Sequence, residues 1–183
     1  MISPVDGQVW KISKQVQREA TFDIKGEQYY LTDLLMPFNY HRWHSPVTGR
    51  IKKVRTVPGF FFAQPAPQQD YASSFPFLSH VNTRTVLFIE SENPAIGEVA
   101  MVFVGLTEVS SCVATVKAGD LVQRGDEIGH FAFGGSTCRT LFDRSKIASL
   151  SITDNPELGD GGGGSGEQLD NVVMVRQNIG LAL

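Results

Sequence analysis

The chain carries the same ten-residue phrase twice. Ser3-Pro4-Val5-Asp6-Gly7-Gln8-Val9-Trp10-Lys11-Ile12 returns as Ser45-Pro46-Val47-Thr48-Gly49-Arg50-Ile51-Lys52-Lys53-Val54, with five of ten positions identical. Two further positions exchange one β-branched apolar residue for another, Val9 for Ile51 and Ile12 for Val54. Proline and glycine fix a turn, and the β-branched residues that follow favour a pleated strand, so each copy reads as a turn feeding a strand. A chain that repeats such a unit is held to β architecture, with the two turns brought to equivalent places. A third segment, Ala114 to Gly129, is punctuated by Gly119-Asp120 and Gly125-Asp126, which mark tight β-turns between short apolar stretches.

That third segment resembles the hairpins of lipoyl- and biotinyl-type barrel-sandwich folds. The remaining periodicity agrees with a β protein. Arg84 to Glu90 and Val99 to Gly105 are short apolar runs of the kind that form buried strands, Glu127 to Phe133 and Cys138 to Phe142 read as strands, and Glu19 to Ile24 and Ile147 to Ile152 alternate more weakly. Leu31 to Leu35 and Asp143 to Ala148 each have the length of one helical turn. Pro58 to Pro76, rich in Pro, Gln and Phe, is expected to be an ordered surface loop whose Phe60-Phe61-Phe62 and Phe75-Pro76-Phe77 clusters either anchor it in the core or wall a substrate pocket. Gly159 to Gly166 is a flexible connector with no side chains to bury. The expected fold is therefore mainly β (α+β): a barrel-sandwich-like β domain with a duplicated turn–strand unit and few short helices. Residues 1–183 are read as a single domain.

Bulk properties narrow the function. With 183 residues the chain can bury a real core, and 42% hydrophobic against 19% charged residues is ordinary for a globular protein. Sixteen basic residues against nineteen acidic ones, with no basic run, argue against a nucleic-acid partner. No apolar run approaches the roughly 18 residues of a membrane-spanning helix, and the N-terminal residues carry no secretion signal. Two cysteines, Cys112 and Cys138, are too few for a disulfide scaffold, so an intracellular, cytoplasmic protein with reduced thiols is expected, membrane association remaining open.

Chemistry concentrates at Phe133-Gly134-Gly135-Ser136-Thr137-Cys138. Ser136 follows a peptide bond that no side chain shields, and a glycine there permits backbone geometry other residues do not tolerate. Strain at Gly135–Ser136 would favour attack of the hydroxyl on the Gly135 carbonyl. The resulting ester, after β-elimination, leaves dehydroalanine, and hydrolysis of that residue gives a pyruvoyl group and ammonia. Backbone amides near Gly134 and Gly135 would stabilise the oxyanion. The hydroxyl needs a base, and the base an orienting acceptor. His41 and His44 flank Arg42-Trp43 and run into the second Ser-Pro turn, where a turn could make them converge. His80 in a polar loop and His130 in a strand read as solvated or packed residues. His-x-x-His spacing raises metal binding, but no cysteine or acidic residue stands nearby at ligand spacing, so no metal is assigned. Asp6 sits in the first turn where Thr48 sits in the second; aspartate suits turns on its own account, and the repeat would bring it beside the histidines.

Ser3-Pro4-Val5-Asp6-Gly7, Tyr40-His41-Arg42-Trp43-His44-Ser45-Pro46-Val47 and Phe133-Gly134-Gly135-Ser136-Thr137, in this order, resemble the three signature motifs of the phosphatidylserine decarboxylase family, and Gly125-Asp126-Glu127-Ile128-Gly129-His130-Phe131 fits the lead into the third. The resemblance covers most of Ser3 to Phe142. It implies a self-processing, pyruvoyl-dependent carboxy-lyase cleaved between Gly135 and Ser136, whose two chains remain associated. By carry-over, Asp6, His44 and Ser136 form the processing triad, His41 assists decarboxylation, and Ser136 becomes the covalent pyruvoyl cofactor that binds substrate as a Schiff base. Val57-Pro58-Gly59, Phe62-Ala63-Gln64 and Val104 to Cys112 look closer to the soluble fungal branch, which includes L-tryptophan decarboxylases. Met36 to Asn39 is shorter than the family's usual segment there, and the family's N-terminal region is missing, so the chain reads as a catalytic core. The expected substrate is a free aromatic L-amino acid in a pocket of Trp43, Phe60 and Phe62; the alternative is the aminophospholipid phosphatidylserine, which requires membrane contact. A homo-oligomer is compatible with either. From other classes, a non-enzymatic barrel-sandwich carrier or binding module is disfavoured because Lys117 at the hairpin tip has no methionine beside it, and a metallohydrolase on His41 and His44 lacks further ligands.

Overall fold

The computed structural model describes residues 1–12, 32–35, 40–61, 77–105, 111–132, 136–152 and 172–183. Thirteen strands are described: β1 (Gly7–Lys11), β2 (Thr32–Leu35), β3 (Arg42–His44), β4 (Gly49–Val57), β5 (Arg84–Ser91), β6 (Glu98–Gly105), β7 (Ser111–Ala114), β8 (Leu121–Val122), β9 (Glu127–Ala132), β10 (Ser136–Phe142), β11 (Ile147–Leu150), β12 (Val172–Val173) and β13 (Gly180–Ala182). Eight of them form one sheet in the order β12-β1-β2-β10-β6-β5-β4-β8, and β3-β9-β7 and β11-β13 form two smaller ones. Every pairing among these thirteen strands is antiparallel. The mainly β expectation therefore holds. Helical structure among the described residues is limited to one turn at residues 77–81 and a 3₁₀ turn at Arg144–Lys146, capped by the Asp143 side chain. No helix among them is long and apolar enough to cross a membrane.

One expected helical turn is corrected. Thr32–Leu35 is a strand, paired on one side with β1 and on the other with β10. A slot between two strands satisfies both edges of this segment's backbone, which a lone helical turn there would leave unpaired. Leu31, the aromatic loop from Phe62 to Pro76, the segment Glu19 to Ile24 and the glycine-rich segment Gly159 to Gly166 lie outside the described residues.

The continuous apolar run of β6 is buried on both faces. Val99, Met101 and Phe103 join Ile51, Leu87, Ile89, Ile128 and Phe131 in the main core, while Ala100, Val102 and Val104 pack on the opposite face with Leu78 of the helical turn and Leu141. Thr85 of β5 donates to the carbonyl of Cys112 at 3.1 Å, which ties the small sheet to the large one.

The duplication seen in the sequence is a duplication in space, and it is larger than the ten-residue phrase. In each turn the serine hydroxyl closes onto a carbonyl two residues on, Ser3 to Val5 at 2.7 Å and Ser45 to Val47 at 2.6 Å. Each turn receives a second tight turn from far along the chain, Met174 to Gln177 for the first and Gln123 to Asp126 for the second. Ser3 N–H donates to Gln177 and Arg176 N–H to Ser3; correspondingly Ser45 N–H donates to Asp126 and Gly125 N–H to Ser45. Gly7 then pairs with Val173 as Gly49 pairs with Val122. The two turns bind each other reciprocally, Ile2 N–H to the carbonyl of Pro46 and His44 N–H to that of Pro4. This is a pseudo-twofold core, and the histidine motif enters it at the contact between the halves.

Candidate active site

Strand β3 is three residues long and contains an irregularity in its pairing with β9 between Trp43 and His44. Trp43 and His44 are both buried. Arg42 stays outside in an ion pair with Glu127. Trp43 stacks on Phe103, ring centroids 3.9 Å apart, and meets Phe131 edge-on at 5.0 Å. The structure thus places Trp43, fully buried, in the core rather than on a pocket wall: the ring gains more from filling the space between the sheets than from facing solvent. Phe60 and Phe61 lie exposed on the surface, so the expected anchoring of that cluster does not hold for these two rings, and Phe62 and Gly135 lie outside the described residues.

Ser136 is the first residue of β10, a strand in the interior of the eight-stranded sheet. Its backbone is flanked by Leu35 on one side and Gly105 on the other, and it is completely buried. His41 reaches it. The carbonyl of His41 accepts from Phe131 N–H at 2.8 Å, its ring lies edge-on to Phe131 at 6.2 Å, and its Nδ1 is 3.2 Å from the Ser136 hydroxyl. Ninety-five residues of chain separate the two groups.

His44 is held differently. Its Nδ1 lies 2.8 Å from the carbonyl oxygen of Gly125, and its Nε2 lies 3.0 Å from the Tyr40 hydroxyl, whose ring stacks on the imidazole at 5.7 Å. A carbonyl only accepts, so Nδ1 carries a hydrogen, and in the neutral ring Nε2 accepts from the tyrosine. Asp6 accepts the backbone N–H of Val175, as Thr48 in the other turn accepts that of Arg124 at 3.1 Å. The structure therefore brings His41 and Ser136 together; it sets His44 beside Tyr40 and Gly125, and Asp6 on the turn where β12 ends. His80 is exposed and His130 partly buried in β9. Among the described residues no group of three or more His, Cys, Asp and Glu side chains could hold a metal ion.

Three participants carried no assigned role in the sequence reading: Tyr40, Gly125 and Arg176. The guanidinium of Arg176 donates to the same Gly125 carbonyl from Nη2 at 2.9 Å and Nε at 3.2 Å. A signal for it existed. Val172 to Gly180 repeats Leu121 to Gly129, with Val173, Ile179 and Gly180 matching Val122, Ile128 and Gly129.

Residues 1–161 match the sequence model of phosphatidylserine decarboxylase. The chain belongs to the phosphatidylserine decarboxylase family. Among its relatives, an L-tryptophan decarboxylase of Psilocybe cyanescens is 41% identical over 159 residues, covering 70% of this chain and 36% of the relative. Phosphatidylserine decarboxylase proenzyme 3 of Schizosaccharomyces pombe is 32% identical over 163 residues, 78% of this chain and 16% of the relative. The phosphatidylserine decarboxylase proenzyme of Fusobacterium nucleatum is 28% identical over 168 residues, 80% of this chain and 53% of the relative. The chain thus spans between about a sixth and about half the length of these family members.

Proposed function

We propose that this chain is the catalytic core of a pyruvoyl-dependent decarboxylase, generated by self-cleavage between Gly135 and Ser136, acting on a free aromatic L-amino acid. The observation that carries the reading is the contact between His41 Nδ1 and the buried Ser136 hydroxyl at 3.2 Å, within a chain of this family.

The residues present suit the group. Ser136 is its own precursor, its backbone is clamped on both sides by strand pairing, and burial excludes bulk water. During processing His41 accepts the Ser136 proton as Oγ attacks the Gly135 carbonyl, the Gly135–Ser136 C–N bond breaks and the ester forms. Loss of the Ser136 α-proton and of the Gly135 carboxylate, followed by hydrolysis, completes the change. A pyruvoyl group at position 136 supplies a ketone for the substrate amine and a conjugated carbonyl that takes up the electrons left by departing carbon dioxide. His41, still facing that position, returns a proton there. His44, fixed by Gly125 and Tyr40, and Asp6 on the adjoining turn are the further processing residues.

The aromatic preference is supported by the name and 41% identity of the Psilocybe relative and by the exposed Phe60 and Phe61 at the end of β4. Burying an indole in place of a small side chain is worth about 1.5–3 kcal/mol, one to two decades in selectivity.

Intact mass spectrometry tests the core of this reading. Wild-type protein is expected to give pieces of 135 and 48 residues, the second with a borohydride-reducible N-terminus, while Ser136→Ala and His41→Ala remain full length and His44→Ala and Asp6→Asn cleave slowly. Wild type that stays full length overturns the proposal. If His41→Ala cleaves normally and His44→Ala does not, the base is His44. Carbon dioxide release from L-tryptophan, L-phenylalanine and phosphatidylserine vesicles then decides the substrate; turnover of vesicles alone restores the lipid.

A further inference from the structure

We propose that Arg176 is a positioning residue for His44, acting through the carbonyl of Gly125. The two halves of the pseudo-twofold core place Arg176 and Gly125 at equivalent points of the turns Met174 to Gln177 and Gln123 to Asp126, each donating its backbone N–H to the leading serine of a Ser-Pro turn. Both have left-handed backbones, φ 92° at Gly125 and φ 68° at Arg176, and Arg176 is the one described non-glycine residue in that region. Glycine adopts this conformation without cost and arginine does not. A backbone that disfavours the side chain is retained where the side chain has work to do, and here that work is visible.

The guanidinium crosses to the other turn and donates twice to the Gly125 carbonyl, the oxygen that also fixes the His44 Nδ1 hydrogen at 2.8 Å. The bare α-carbon of Gly125 makes room for it: a Cβ there would stand 3.2 Å from Arg176 Nε and 3.6 Å from its Cδ. The carbonyl is thus pinned from one side by a charged, forked donor while the imidazole takes it from the other. Its direction selects the His44 tautomer, and with it the acceptor presented to Tyr40. Arg176 lies C-terminal to the proposed cleavage point and His44 N-terminal to it, so the contact also bridges the two pieces.

The inference rests on the reading of His44 as a processing residue, and the test separates the two. In a Ser136→Ala chain, which cannot cleave, ¹⁵N-histidine NMR reads the His44 tautomer directly. The parent is expected to show one Nδ1–H form. Arg176→Gly, which relieves the backbone, and Arg176→Asn, which tolerates it, are expected to fold with unchanged or higher Tm yet lose that single tautomer. With Ser136 restored, both should process about tenfold more slowly, the effect of one charge-assisted hydrogen bond. An unchanged tautomer overturns the proposal, as does an unchanged rate in a chain that cleaves. A parent chain that never cleaves overturns the proposed function instead, and the NMR result still decides the Arg176–Gly125–His44 contact.

Discussion

Burial pushes the Cys112 thiol up to about 12, against partial relief from hydrogen bonds to the backbone; its sulfur lies 3.4 Å from the Phe103 carbonyl. A thiol that keeps its proton is a poor nucleophile, and Cys138 is wholly buried. Native protein should therefore resist iodoacetamide at pH 8 and take up two equivalents once unfolded, as mass spectrometry will register. The linkage has a definite sign. The unfolded thiol ionises near 9 and the folded one near 12, so this contribution to stability is complete below pH 9 and shrinks as pH rises beyond it. Tm should decline above pH 9, and less steeply in Cys112→Ala. At this scale the sequence was uneven. Ser136, His41 and His44 stood out because glycine pairs and histidine spacing are local features. The contact between Ser136 and His41 was not legible, since it depends on β3 and β10 meeting across the fold. Trp43 was misplaced because its burial depends on Phe103 and Phe131, which reach it from other strands, and nothing in Arg42-Trp43-His44 announces them.

Strand β9 meets Trp43 through Gly129. A Cβ on Gly129 would lie 2.3 Å from Trp43 Cε3 and 2.5 Å from the Val113 carbonyl, so a bare backbone is what lets the indole lie against the strand and stack on Phe103. Gly129→Ala should cost about 1–3 kcal/mol through overpacking, read as a lower denaturation midpoint with unchanged slope. Because His41 hangs on β9 through Phe131 N–H, the same substitution should also slow processing. Strands with strong β-branched content, β5 and β6, were plain in the sequence, as were the turns at Gly119 and Gly125, where positive φ favours glycine. Thr32–Leu35 was not: four residues without alternation become a strand only because β1 and β10 leave a gap of one strand's width. The ten-residue repeat was legible down to Thr48 in the place of Asp6, whereas the second one, which puts Arg176 in the place of Gly125, keeps only Val173, Ile179 and Gly180 in common and is plain only from the hydrogen bonds to Ser3 and Ser45.

Cleavage ahead of Ser136 would divide the molecule unevenly without opening it. The 48-residue piece contributes β10 to the interior of the large sheet, β12 to its edge beside β1, and the β11–β13 pair. Strand β10 alone pairs over four residues with β2 and seven with β6. The two pieces should co-elute in native gel filtration and separate in denaturant, whereas dissociation on simple dilution would contradict this topology. A central strand delivered by a severed chain has one more result, which concerns the order of events in the protein's life. While the chain is whole, β10 finds its slot by an intramolecular search whose rate ignores concentration. Once cut, the same search lies between two molecules. Denatured and diluted, processed protein should recover in proportion to how crowded the pieces are, while Ser136→Ala recovers equally at any dilution. The fold is assembled cheaply only before it is useful, and the act that would equip it for chemistry also removes its easy route back.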